Sequence, residues 1–359
     1  MSGVWGNKIQ VSIFGESHGK AIGIVIDGLE PGVELDMEAI NKEMARRAPG
    51  KNKFSTQRKE GDEVQIVSGF FNGKTTGTPL TALIWNSNQH SSDYSNIKDT
   101  PRPGHADYTG FVKYEGFNDY RGGGHFSGRI TAPLVFAGAV AKQILMKKNI
   151  IIGSHILSIH DIKEKYFDKV NINKETLEEL VSKEFPVMDD AKGLEMKKAI
   201  LKVKDELDSV GGVIECCALN LPVGLGDPFF DSVESTLSHL LFSVPAVKGV
   251  EFGLGFDIAK LKGSEANDEY YYDEDKNIKT YTNNNGGILG GITNGMPLIF
   301  RAAIKPTASI YRKQKTVNLK TKENDDIAII GRHDPCITLR AVPVIEAVCA
   351  IGILDIISR

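Results

Sequence analysis

Apolar and polar positions alternate over residues 9–14 and again over 21–27 (AIGIVID), which predicts two strands joined by a short polar turn. The period then changes. Met37, Ile40 and Met44 recur at helical spacing behind Asp36, so a helix capped by Asp36 is expected to run to about Arg47. Residues 63–69 and 79–85 again read as strands, with GKTTGT as their turn. Residues 88–128 show no clear period and are rich in Ser, Asp, Asn, Gly and Pro, the pattern of a functional or unstructured stretch.

From about Thr131 to Lys147 the chain is apolar on nearly every side, which predicts a helix buried between layers. Residues 163–207 are charged and helical in period, and residues 209–256 read strand, helix, strand. Residues 264–285 (beginning SEANDEYYYDEDKN) are acidic and polar and are expected to form a solvated loop. A second nearly all-apolar helix is expected from Val342 to Ser358. Short turns between strands favour antiparallel sheets, so the expected class is α+β, with antiparallel sheets covering central helices. Each apolar helix follows a glycine- and arginine-rich segment, a hint of two related halves.

Composition narrows the function. The chain has 359 residues and a formal net charge of -3, and no run of five or more Lys or Arg. A nucleic-acid binder would normally carry a basic stripe, so that class is disfavoured. The N-terminus lacks the basic and apolar regions of a signal peptide, and no run of about 18 apolar residues predicts a membrane span. The four cysteines, Cys216, Cys217, Cys336 and Cys349, form no C-x-x-C and complete no zinc pattern. They read as reduced thiols of a cytoplasmic protein, with Cys336 kept as an alternative catalytic thiol.

Two apparent motifs fail. GFFNGKTTG at 69–77 has three residues, not four, between Gly69 and Gly73-Lys74, and it lies between strands, so it is a turn rather than a phosphate loop. Gly253-Leu254-Gly255 has no glycine at position 258 and is no dinucleotide fingerprint. Five other segments carry chemistry. Gly15-Glu16-Ser17-His18-Gly19 offers a hydroxyl and a proton donor in a tight turn. Arg102-Pro103-Gly104-His105-Ala106-Asp107 sets a second histidine beside an arginine and a carboxylate. Arg121-Gly122-Gly123-Gly124-His125-Phe126-Ser127-Gly128-Arg129 suits a phosphate or carboxylate at the start of the buried helix. NNNGGILGGITNG (283–295), followed by Lys305-Pro306-Thr307-Ala308-Ser309, suits close backbone packing or a flat ligand. In Gly331-Arg332-His333-Asp334-Pro335-Cys336, His333 and Asp334 lack the third and fourth ligands of a metal site. Histidines and cations in glycine-rich loops, without a nucleophile–base signature, fit general acids acting on a multiply anionic substrate.

These segments resemble those of the chorismate synthase family. GESHG, RPGHADYT, YRGGGHFSGR, DSVGG, PVGLGDP, VPAVKGVEFG, NGGILGGITNG, KPTAS and GRHDPC stand in family order, ending with RAVPV and Glu346-Ala347. The resemblance implies one domain spanning residues 1–359, a β-α-β sandwich of pseudo-twofold halves, assembled as a homotetramer. It implies the anti-1,4 elimination of phosphate from 5-enolpyruvylshikimate 3-phosphate, with reduced FMN required, no net redox change, and NADPH a possible reductant only. By motif, His18 would protonate the departing phosphate, aided by Ser17, and His105 would protonate or stabilise the reduced flavin. Asp355, in the last helix, would match a carboxylate working at the flavin. His125, Phe126, Ser127, Ala246, Gly290, Lys305, Pro306, Thr307, Ala308, Ser309 and Arg332 match flavin-binding positions. Arg47, Lys53, Arg129 and Arg340, with Arg332, would clamp the anions, for which the bidentate arginine fork is suited. Lys53 departs from the arginine of many members and loses that fork. Ala48 departs from a further basic residue, and the 264–285 insertion is long. The rivals to a lyase are a flavin oxidoreductase with net hydride transfer and a non-catalytic anion or nucleotide binder.

Overall fold

The computed structural model describes residues 3–50, 61–86, 98–329 and 333–359. Asp36 caps helix α1 (Met37–Arg47), accepting hydrogen bonds from the amides of Glu38 at 2.8 Å and Ala39 at 3.1 Å. Such a cap contributes about 1 kcal/mol. The apolar stripe expected on this helix is buried at Ile40 and Met44. A short helix, α2 (Asp107–Lys113), stands in the stretch that showed no period. Its seven residues, with buried Gly110, are too few to make a period visible. The charged segment forms α4 (Lys174–Ser182) and α5 (Asp190–Asp205).

The apolar helices are α3 (Thr131–Met146) and α8 (Thr338–Ser358); between them in sequence come α6 (Val233–Ser243) and the one-turn α7 (Gly263–Ala266). Helix α8 begins four residues earlier than the pattern suggested. Pro343 lies inside it and leaves one carbonyl without its helical donor, yet Thr338, Ala341 and Val342 are all buried, so packing outweighs that loss.

Each half of the chain supplies one five-stranded antiparallel sheet. The first has the spatial order Val4–Trp5, Gln10–Gly15, Ala21–Asp27, Leu80–Trp85, Val64–Ser68. The second runs Val247–Phe252, Leu298–Ile304, Gly212–Leu219, Ile151–Ile159, Ile162–Lys163. Helix α3 packs on the first sheet and α8 on the second, and the two helices pack on each other. A Cβ on Gly138 of α3 would lie 2.2 Å from that of Ala347, so only glycine allows this approach. The layers are therefore sheet, helices, sheet, as expected for α+β, and one apolar core runs through them.

α3 with its preceding turn (Gly128–Met146) and α8 are long and apolar enough to cross a membrane, but 78% and 89% of their apolar windows are buried inside the fold. They are core helices between sheets. Arg46, Lys142 and Ser154 converge on the fully buried Glu346 at 2.6, 2.5 and 2.7 Å, tying α1, α3 and the second sheet to α8.

Two readings of the hairpins come out differently. The 70–75 segment is a turn, as expected, with Asn72 and Gly73 both at positive φ between paired Phe70–Phe71 and Lys74–Thr75. The acidic 264–285 stretch is no open loop. Tyr270–Tyr272 pairs with Ile278–Thr280, and the rings of Tyr271 and Tyr281 stack at 4.5 Å. Asp268 organises its base, accepting from the Thr282 hydroxyl at 2.6 Å and the amides of Asn284 at 2.7 Å and Asn285 at 3.0 Å. A dense run of charge masks so short a hairpin.

Candidate functional site

The strand Gln10–Gly15 ends where Gly15 turns at φ 98°; a Cβ there would meet the Ala21 carbonyl at 2.4 Å. The turn buries Ser17 and His18, which are 1% and 4% exposed. The Ser17 hydroxyl donates to the Arg121 carbonyl at 3.2 Å. Its oxygen is then an acceptor for His18 Nδ1–H at 3.1 Å. That arrangement fixes the imidazole and assigns the proton it can pass on to Nε2.

The glycine run lies directly against this histidine. Gly122, Gly123 and Gly124 all have positive φ (59°, 88° and 53°). A Cβ on Gly122 would fall 2.2 Å from His18, and one on Gly123 would fall 2.9 Å from His105. Successive residues of one loop thus touch the two histidines. His125 closes the loop by donating from Nδ1 to the Gly15 carbonyl at 2.9 Å. Phe126 packs under α2, against Gly110 and at 6.2 Å from the Tyr114 ring. Ser127 accepts from the Arg129 amide at 3.2 Å.

His105 is oriented by a carboxylate. Its Nδ1 lies 2.6 Å from Asp107, which also takes two bonds from the Arg102 guanidinium, each 2.7 Å. Burial alone would raise the Asp107 carboxyl, but hydrogen bonds from Arg102 and His105 hold it well below its usual range. An ionised Asp107 means that Nδ1 carries the proton. The 3.1 Å approach of Arg102 to the same nitrogen is therefore a contact rather than a hydrogen bond. His105 Nε2, the acceptor of that tautomer, faces the Arg102 guanidinium at 3.4 Å.

The segment Lys305–Ser309 joins this loop. Lys305 donates to the Gly104 carbonyl, and Ser309 accepts from Arg102 at 3.1 Å. Gly104 also approaches Ala308. Ala246 sits at φ 76°, unusual for a residue with a Cβ, and its carbonyl accepts from the Lys305 amide at 2.9 Å. Burial and nearby Lys248 push the Lys305 ammonium below its ordinary value. The Thr307 hydroxyl is buried without a hydrogen-bond partner among the described residues. An uncompensated cation beside an orphaned hydroxyl suits a ligand with a phosphate and hydrogen-bonding edges, as FMN has.

The arginines form a second cluster. Arg47 and Arg129 both bind Asp62, Arg47 at 2.7 Å. Arg47 is 2% exposed and also donates to Thr131 at 3.1 Å and the Gly128 carbonyl at 2.9 Å. All three of its nitrogens make hydrogen bonds inside the fold, where it fixes the entry to α3. Burial pushes its guanidinium down to about 10 despite Asp62. Arg129 also reaches Asn86 at 3.1 Å. Arg340 bonds Asp334 at 2.5 Å and the Arg47 carbonyl at 3.1 Å. Lys53 and Arg332 lie outside the described residues.

Asp355 is fully buried; one oxygen accepts from the amides of Asn7, Lys8 and Ile9 and the other from Arg359. It anchors the start of the strand whose far end leads to His18. Gly290 forms the turn between Ile288–Leu289 and Ile292–Thr293 at φ 61°, where a Cβ would meet nothing within 4 Å. Cys336 is buried and its thiol is pushed up to about 11 by burial, which removes the thiolate that a nucleophile needs. The sequence reading set Arg102 and Asp107 beside His105 without giving either a role, and it missed Asp62. Asp107, two residues from His105, carried a signal, whereas Asp62 lay in no motif.

The fold and site define an α+β protein that holds two histidines and a set of cations around glycine-rich loops. The chorismate synthase family model matches residues 9–357. The chorismate synthase of Methanocaldococcus jannaschii is 49% identical over 99% of this chain and 96% of its own length. That of Methanobrevibacter smithii is 49% identical over 100% and 97%. A crystal structure of chorismate synthase superposes with a TM-score of 0.76 at 32% identity, covering 98% of this chain and 92% of that one. The chain belongs to the chorismate synthase family, which makes it an enzyme with a small-molecule substrate.

Proposed function

We propose that the protein eliminates phosphate from 5-enolpyruvylshikimate 3-phosphate to give chorismate, with reduced FMN as cofactor. The observation that carries this reading is the placing of His18 and His105 against successive residues, Gly122 and Gly123, of one loop. A ligand pair lying along that loop would meet both imidazoles. In this reaction the C–O bond to phosphate breaks and a hydrogen leaves the opposite side of the ring, with no net gain or loss of electrons.

His18, held by Ser17, would protonate the departing phosphate through Nε2. Arg129 and Arg340, with Lys53 and Arg332, would supply cationic stabilisation of the anions. Lys305, Thr307 and Ser309, with Ala246, His125, Phe126 and Ser127, would hold the flavin, and His105 would hold or move a proton at its Nε2. Bound reduced FMN would supply electron density as the C–O bond breaks. NADPH would serve only as reductant. We further propose that the chain acts as one domain, in a cytoplasmic homotetramer.

The test is anaerobic incubation of the protein with dithionite-reduced FMN and the substrate, following chorismate absorbance and phosphate release. Equimolar products that vanish when FMN is left oxidised are expected. Tight FMN binding without turnover would favour the binding-module reading, and NADPH consumption stoichiometric with product would favour an oxidoreductase.

A further inference from the structure

We propose that His333 is a ligand-contacting histidine of this site, its Nε2 hydrogen-bonding the bound flavin beside Arg102 and Thr307. This rests on the flavin reading above. Neither the motif resemblance nor a metal pattern gave His333 a role.

Four observations place it. The His333 Nε2 atom is buried and has no hydrogen-bond partner among the described residues. Its ring lies 6.1 Å from that of Tyr311. Tyr311 is two residues beyond Ser309, which Arg102 binds at 3.1 Å, and the Ile329 amide bonds the Ile310 carbonyl at 3.3 Å. The chain after Lys305 therefore runs beside Ile329, four residues before His333 in the sequence. Finally, Arg102 and His105 are near enough to repel a charge on its ring.

The charge state follows from these neighbours. Burial, then Arg102 and His105, hold His333 down to about 4 against the opposing pull of Asp334. It is therefore a neutral imidazole at physiological pH, unlike a general acid. A neutral ring among cations is a hydrogen-bonding group without charge, suited to the polar edge of a heteroaromatic ring. A buried polar atom left unpartnered costs roughly 1–3 kcal/mol. The Thr307 hydroxyl is a second such atom on the adjoining segment. One flat ligand with several acceptors and donors would satisfy both.

The experiment is a fluorescence titration of oxidised FMN with the full-length wild type, His333→Gln and His333→Leu. Glutamine keeps an N–H near the position of Nε2, and leucine keeps bulk alone. We expect roughly tenfold weaker binding in H333L, the size of one hydrogen bond, with most of the affinity recovered in H333Q. Equal affinity in wild type and H333L would overturn the inference while leaving the flavin reading intact. Equal loss in both variants would overturn the hydrogen bond. No FMN binding by the wild type would instead sink the flavin reading itself, and the inference with it. Should H333L fail to fold, 15N-histidine spectra give the answer on the wild type. Added FMN should shift one neutral Nε2 resonance that H333Q lacks, and an unmoved resonance would refute the contact.

Discussion

Gly122 and His18 are in contact so close that a methyl group on the glycine would overlap the imidazole, 2.2 Å from Cε1. The glycine also holds φ 59°, where a side chain is strained. Gly122→Ala should therefore push His18 off its Ser17 hydrogen bond. A misplacement of about 1 Å can cost on the order of 10²-fold in rate. We expect a loss of that size in chorismate formation with the melting temperature little changed. Gly263→Ala, where a Cβ meets nothing within 4 Å, is the control. Equal activity of the two variants would refute the positional argument.

Asp107 should matter for catalysis through His105, which it orients. Asp107→Asn keeps the shape but removes the charge that holds the proton on Nδ1 and can present its N–H to the ring, favouring the wrong tautomer. The expected outcome is a fall in kcat of about 10²-fold, by analogy with misoriented catalytic histidines, and little change in KM for the anionic substrate. A change confined to KM would instead make Asp107 part of substrate binding.

The buried carboxylate of Glu346 should govern acid stability. Burial would raise it, but Arg46 and Lys142 hold it down to about 2 from an ordinary 4.5. Its folded value is depressed, so its stabilisation is complete above about 4.5 and is lost as pH falls towards about 2. Glu346→Gln leaves two buried cations short of a partner and should cost about 3–5 kcal/mol at neutral pH. Denaturant melts from pH 7 to pH 3 should show the wild type losing its advantage over E346Q as the pH drops.

His155 predicts the opposite slope. It is fully buried between Glu164 and Glu215, the latter at 3.0 Å, and beneath the Phe167 ring at 4.4 Å. Burial would lower its pKa, but the two carboxylates outweigh burial and raise it above 6.5. Because the folded value is raised, its stabilisation is present in full below 6.5 and fades as pH rises through the folded value. His155→Gln should be destabilised most at pH 6 and progressively less in alkaline buffer. Hydrogen exchange over residues 164–189, which Glu164 binds through the Met188 and Asp189 amides, is the local readout. Exchange there that ignores pH would disprove the clamp.

Local physics made much of this protein legible from its residues. Periodicity and the Asp36 cap define α1, all-round apolarity defines α3 and α8, and the turn glycines mark the loops where His18 and His105 stand. Motif order was enough to recognise the family, because those loops need particular residue types at close spacing. Contacts between residues distant in sequence could not be read that way. That Asp62 pairs with both Arg47 and Arg129, and that Asp355 binds the amides of Asn7, Lys8 and Ile9, depends on where the chain returns after long excursions. A carboxylate or an arginine has the same letter whether it faces a ligand or is consumed inside the fold. Only the packing of two sheets around two helices decides which, because it sets the burial and the partners of each charge.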